Sequence, residues 1–519
     1  MNRSLFLTPL IVSTAIASPR IESDSITTRH DMQLLRDAGA IESAVLTWPW
    51  PMGRNAFGES QLDERTYQDG QNRLLSIYRS ESELGYRPTE TSLSIASDKL
   101  PFRSFGHQPR EQFEASISQA WLSEWFAGNI SIAYADNPLD GDDLRFDGSY
   151  LAVALGNWSL ALDQVDRWWG PGWDGSLILS NNARPAPAVS LTRISPDAWK
   201  TKWLNWIGPW TFTTFMGQLD NEEPLRERPN PDAGKEGEPE TILIPWGSDA
   251  LLFGMRIDFT PFGWKNLDIG LSRTAQWAGE GRPKDWSTFK KLLLGEDNAV
   301  NGINSENEPG NQLAGVDYRL RIPGFKIAQY AQLIGEDEDG FLPDANMLLA
   351  GIEAWGELES QNATWRAYFE WADTRAGYLR RDPESHPNRD FNTAYNHHIY
   401  KSGYRRKGKA IGHAMDGDGI MRSIGGFIVK ENGDLWGAKY RNYSLNRDGA
   451  GPNSVTIAPK EGQSLELFFE LDFSDSPILN FQFSNLRTSG GIHYIDEDNL
   501  ATGENESDFG GHLTVITSF

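Results

Sequence analysis

The sequence has no cysteine among its 519 residues. That excludes a disulfide framework, a thiolate-held metal and a cysteine nucleophile. Histidine is scarce, at 8 residues, and forms no compact ligand cluster; the adjacent His397 and His398 would point to opposite faces of a strand. Basic charge is in deficit, with 48 Lys+Arg against 72 Asp+Glu and a formal charge of -24. A nucleic-acid partner needs a concentrated basic surface and is not expected, whereas an acidic ligand held by a few arginines is compatible with this balance. Long apolar runs are missing too. Nothing beyond the N-terminus approaches the roughly 18 to 20 apolar residues of a membrane-spanning helix, and the mean hydropathy is -0.51.

Glycine (50), Trp (20), Tyr (15) and Phe (25) are plentiful. Many turns and many rings point to an all-β chain, and a barrel with a polar interior crosses a bilayer without looking hydrophobic overall. Arg3, the apolar run from Leu5 to Ala15 and the small-x-small pattern Ala15-Ile16-Ala17 read as an export signal over residues 1–17. With that segment removed, only a barrel or a lipid anchor holds such a chain in a membrane, and a lipobox needs cysteine.

Residues 18–95 read as a small, partly helical cap. Thr28 with Asp31 resembles a helix cap, Met32, Leu34 and Leu35 form an apolar stripe, and Gly39 can end the helix. A second helix is expected over Thr66 to Tyr78, burying Leu74, Leu75 and Ile77. Both are short enough to need a partner surface.

From about residue 110 the period becomes 2. Leu251, Phe253, Met255, Ile257 and Phe259 alternate with Gly254, Arg256 and Asp258; Leu465, Leu467, Phe469 and Leu471 alternate with Glu466, Phe468, Glu470 and Asp472. The second face repeatedly carries charge and aromatics lie near strand ends, which favours a closed antiparallel transmembrane β-barrel over 96–519 rather than a soluble sandwich. At roughly 20 to 25 residues per strand and loop, this gives about 16 to 18 strands. Polar segments at 230–240, 295–311, 335–340, 381–390 and 496–508 read as long outer loops, whose carboxylates can meet cations bridging the phosphates of outer-membrane lipid and lipopolysaccharide. Leu513, Val515, Thr517 and Phe519 share one parity, and the terminal aromatic resembles the signal read by the barrel assembly machinery.

The densest signal runs from Asp163 to Pro187. Trp168, Trp169 and Trp173 can stack on pyranose faces, Asp166, Asn181 and Asn182 can exchange hydrogen bonds with hydroxyls, and Arg167 and Arg184 can bind a carboxylate bidentately. The same residues can instead build the lumen or the interfacial girdle. The run Asp166-Arg167-Trp168-Trp169-Gly170-Pro171-Gly172, followed by Ser176 through Pro185, resembles the signature of the capsule assembly protein Wzi family; Leu34 to Gly39 and Leu46 to Pro49 are similar to the family's start. The resemblance implies an 18-stranded outer-membrane barrel with a periplasmic helical bundle. It further implies a non-catalytic lectin that attaches exported capsular or extracellular polysaccharide to the cell surface, alongside the capsule export system, with the lumen obstructed by inward loops.

Enzyme chemistry is weakly supported. Asp163, Asp166 and Asp174 are the only pair-like carboxylates near the tryptophans, as a glycosidase would require. No Gly-x-Ser-x-Gly elbow marks a strand-to-helix turn, and His413 to Gly419 lacks the spacing of a calcium loop. No enzyme activity, cofactor or metal is therefore expected. The competing class is a channel or porin for small solutes or oligosaccharides, which shares every barrel feature and differs in having an open lumen.

Overall fold

The computed structural model describes residues 20–53, 65–98, 100, 102–219, 225–229, 241–245, 249–279, 284–294, 310–339, 342–379, 391–397, 400, 402–449, 453–473 and 484–519. The export signal, the loops at 230–240 and 381–390, nearly all of 295–311, and His398 lie outside the described residues.

Among the described residues twenty paired segments close one antiparallel ring. Two of them, Gly85–Tyr86 and Leu144–Arg145, are two-residue extensions of the wall, leaving eighteen full strands. We label these β1 Glu90–Ala96, β2 Phe113–Leu122, β3 Phe126–Ala135, β4 Tyr150–Leu155, β5 Trp158–Asp163, β6 Ala188–Arg193, β7 Trp210–Gln218, β8 Leu251–Phe259 and β9 Leu267–Trp277. The series continues with β10 Gly310–Arg321, β11 Ile327–Asp339, β12 Leu342–Leu358, β13 Ala363–Tyr378, β14 Ile420–Lys430, β15 Leu435–Leu445, β16 Lys460–Asp472, β17 Ser484–Asn499 and β18 Glu504–Ser518. The ring closes where β18 pairs with β1 in the register Leu513↔Ile95 and Val515↔Leu93. β1 begins inside the segment read from sequence as the cap.

Alternation decides which face meets which medium, because a slip of one residue would turn every side chain over. Leu271, Val316, Ile424, Leu465 and Leu467 are exposed on the outside, whereas Arg256, Asp317, Arg319, Glu353, Arg366 and Glu466 are buried on the inside. Aromatic residues crowd both rims: Trp203, Phe262, Phe325 and Trp436 at one end and Phe146, Tyr494 and Phe509 at the other, as a bilayer's two interfaces favour. Phe519 is exposed, and its backbone bonds to Thr89.

Two of the expected loops are strands. Residues 335–339 belong to β11, and 496–508 are the ends of β17 and β18 joined by a short turn at 500–503. Polar side chains on both faces hid these segments, since a ladder that rises clear of lipid has no apolar row.

The lumen is filled. Helix α1, Ile26–Ala38, packs against helix α2, Arg65–Ser82, through the pair Arg73 to Asp31 (2.7 Å). The N-cap of α1 is Ser25 rather than Thr28: the Thr28 N–H donates to Ser25 Oγ at 3.1 Å. The wall residue Glu470 accepts the N–H groups of Ile26 and Thr27, a carboxylate placed where the helix dipole favours it. Gly39 ends the helix in the left-handed region. α1 plugs the end of the barrel that carries the short turns (260–266, 322–326, 359–362 and 431–434) and both ends of the barrel sequence. From the opposite end, residues 394–397, 400 and 402–415 descend and bury Tyr395, Tyr400, Tyr404 and Met415 against Leu177 and Ile178.

Candidate functional site

Inward charges on the wall are tolerated because each meets a partner. Arg256 pairs with Asp317 at 2.6 Å, and Arg319 and Arg366 both pair with Glu353 at 2.5 and 2.6 Å. The plug joins this belt: Arg36 reaches Asp268 at 2.5 Å, and Arg319 donates to both oxygens of Asp37 at 2.6 and 2.9 Å.

The segment 163–187 threads between the plug and the inward loop. Trp168 and Trp169 pair antiparallel with Trp48 and Thr47, and Trp169 bridges to Leu179. The turn between them is sewn to the wall by its backbone. The N–H groups of Trp173 and Gly175 each donate to Glu370 at 2.8 Å, Trp173 Nε1 donates to Glu353 at 2.7 Å, and Asp174 takes Arg441 at 2.8 Å. Only glycine fits here: a Cβ at 172 would lie 2.2 Å from the Gly175 carbonyl oxygen, and one at 175 would lie 2.2 Å from the His413 ring. The Arg29 guanidinium donates to the carbonyls of Pro171 and Gly172 at 2.8 Å each and lies over the rings of Trp173 and Phe105. Burial lowers its pKa to about 10.

The three indoles therefore have no free face. Trp168 and Trp169 are wholly buried, and Trp173 is 4% exposed. Arg167 closes on Asp163 at 2.5 Å, Asn181 exchanges hydrogen bonds with the Ser23 hydroxyl and carbonyl, and Asn182 donates to the Ala410 carbonyl. These six residues are buried inside the barrel. The three carboxylates considered for hydrolysis are likewise engaged: Asp163 by Arg167, Asp174 by Arg441 and Asp166 by Arg110 at 2.8 Å. In the His413 to Gly419 turn, Asp416 pairs with Arg405 and Asp418 accepts the Asn392 N–H.

Arg184 and Asp166 lie differently, at the mouth bearing the long connections. Arg184 gathers Asp140 (2.7 Å), Asp142 (2.9 Å) and Asp147 (2.8 Å) from the loop 136–149, and Lys407 reaches Asp142 at 3.1 Å. Asp142 is the most open of these, with 40% of its side chain exposed, and Asp166 follows at 35%. Burial would raise Asp140 and Asp147, but the hydrogen bonds and charge of Arg184 outweigh it and hold both carboxyls below the usual range. Sequence reading missed Asp140, Asp142, Asp147, Arg110 and Lys407. The acid-rich stretch Asp140-Gly141-Asp142-Asp143 was the available signal, but its partner lies about forty residues on. The cavity beneath, beside Asp166, Arg184 and Arg406, holds about 40 Å³, room for a few water molecules.

Comparison with known proteins gives three findings. The family model described as capsule assembly protein Wzi matches residues 85–494. An uncharacterized 55.8 kDa protein in the cps region of Klebsiella pneumoniae is 31% identical over 444 residues, covering 83% of this chain and 79% of that one. A solved structure from Escherichia coli, described as Wzi, an outer-membrane protein involved in group 1 capsule assembly and a carbohydrate-binding β-barrel, superposes with a TM-score of 0.76. It is 24% identical, and the match covers 97% of this chain and 99% of that one.

Proposed function

This chain belongs to the capsule assembly protein Wzi family, and from that premise we propose that it is an outer-membrane lectin that holds exported capsular or extracellular polysaccharide at the cell surface without chemical turnover. Short turns and the α1 plug face the periplasm in this reading, and the long connections face outward. The observation that carries it is the family match combined with a lumen packed shut, which leaves the outer mouth as the face available to a polymer. There Asp142, Asp147 and Asp166 offer acceptors and Arg110 and Lys407 offer donors, groups suited to hydroxyls and to uronic carboxylates. Trp168, Trp169 and Trp173 serve as the brace behind this surface.

The test separates cell-bound from released polysaccharide in strains carrying the wild-type gene, a deletion, or the variant Asp142→Ala with Asp166→Ala. Deletion is expected to move most polymer into the medium with total synthesis unchanged, and the double variant to lower the bound fraction several-fold. Undiminished retention in the deletion strain, or abolished synthesis, would overturn the reading.

A further inference from the structure

Among the described residues, one helix lies against the outer face of the barrel wall. Residues 271, 273, 275 and 277 of β9 share a parity, as do 312, 314 and 316 of β10; Leu271 and Val316 on these rows are exposed to the exterior. Helix α3, Trp286–Leu294, packs on that same exterior face: Leu292 is buried with Phe253, Ala275 and Trp277, while Phe289 and Leu293 pack against them. The Phe289 ring lies 5.5 Å from Phe253 and 5.0 Å from Trp277.

Beneath the helix lies an irregularity in the lipid-facing wall. Arg273 and Gln312 point outward, where hydrocarbon would meet them, and they bond to each other. Arg273 also donates to the carbonyl oxygens of Leu292 (2.7 Å) and Leu293 (3.3 Å). The last turn of α3 thus covers an arginine on the outer wall, and the arginine in turn donates to carbonyls of that turn. This contact lies near the top of β9, at the long-connection rim.

The far side of α3 is basic. Lys284, Lys290 and Lys291 are exposed, and Trp286 is 72% exposed. Against them the stretch 284–294 carries a single acid, Asp285, whose carboxylate caps the helix by accepting the N–H groups of Ser287 and Thr288. In a chain whose formal charge is -24, a cationic amphipathic helix laid along the bilayer side of the wall is matched to phosphate rather than to another protein's acids.

We propose that α3 is a binding site for the phosphorylated glycolipid of the outer leaflet, with Lys284, Lys290 and Lys291 holding headgroup phosphates and Trp286 set at the acyl boundary. The inference rests on the outer-membrane placement and is independent of the carbohydrate reading. The full chain in detergent is titrated by native mass spectrometry with bisphosphorylated lipid A, the same glycolipid stripped of phosphate, and phosphatidylethanolamine. Preference for the phosphorylated form is expected to be fivefold or more. It should fall to near unity in K284Q/K290Q/K291Q and persist in K200Q/K202Q, whose lysines are exposed at the opposite rim. No preference in the wild type, survival of the preference in the triple variant, or equal loss in the opposite-rim variant would each overturn the site. Heat-modifiable gel migration reports that each barrel is folded.

Discussion

Arg184 carries the outer mouth through its bonds to Asp140, Asp142 and Asp147. Removing a buried partner leaves charges stranded, at a cost of about 3 to 5 kcal/mol, but Asp142 is open enough to solvent that about 2 kcal/mol is the fairer figure. Arg184→Gln is therefore expected to speed hydrogen exchange in 136–149 by about thirtyfold while β12 and β13 stay protected. Exchange unchanged in that loop would contradict the network. The pH dependence follows in sign. Asp140 and Asp147 have folded-state values below the ordinary aspartate value of about 3.9, so their contribution is complete above that value and is lost as pH falls through the depressed ones. Protection factors in 136–149 should be level from pH 7 to 5 and drop only below about pH 4; a drop between pH 6 and 5 would refute the assignment.

At the scale of elements, the plug is held by a few buried ion pairs. Arg319 stands between Asp37 of α1 and Glu353 of the wall, and Arg366 is the other cation near both, 3.9 Å from Asp37. Arg319→Gln is expected to weaken docking of α1 by about 3 kcal/mol, opening residues 26–38 to exchange about a hundredfold more often with the barrel still closed. Loss of the whole barrel, or no change in α1, would show that the plug is held otherwise. The strands and the Gly39 stop were legible because their causes are local: lipid on one side and a left-handed terminus. The Ser25 cap was not, because Glu470, which completes it, lies far along the chain. Nor was the fate of Trp168 and Trp169 legible. A tryptophan that stacks on sugar and one packed against Trp48 and Phe105 have the same flanking glycines, and only the partner across the lumen distinguishes them.

For the whole molecule, the deciding property is that its interior behaves as a core. In a conducting barrel the inward charges face water; here Arg256, Arg319, Arg366 and Arg441 face carboxylates of the wall, plug and threaded segment. The largest groups of apolar side chains among them form two clusters. One is built on Met32, Leu35 and Trp48, the other on Leu177, Tyr395 and Tyr404. The cavity between segment 163–187 and the wall, bordered by Arg20, Asp163 and Thr213, holds about 50 Å³. The two closures come from opposite ends and both rest on segment 163–187: Arg29 of α1 holds Pro171 and Gly172, and Tyr395 and Tyr404 hold Leu177 and Ile178. The wild-type chain in a planar bilayer should show no steady conductance, and Arg319→Gln, which loosens only the α1 closure, should stay silent as well. Conductance in the wild type would return the molecule to the channel class; conductance in the variant alone would mean that 402–415 is not a second seal.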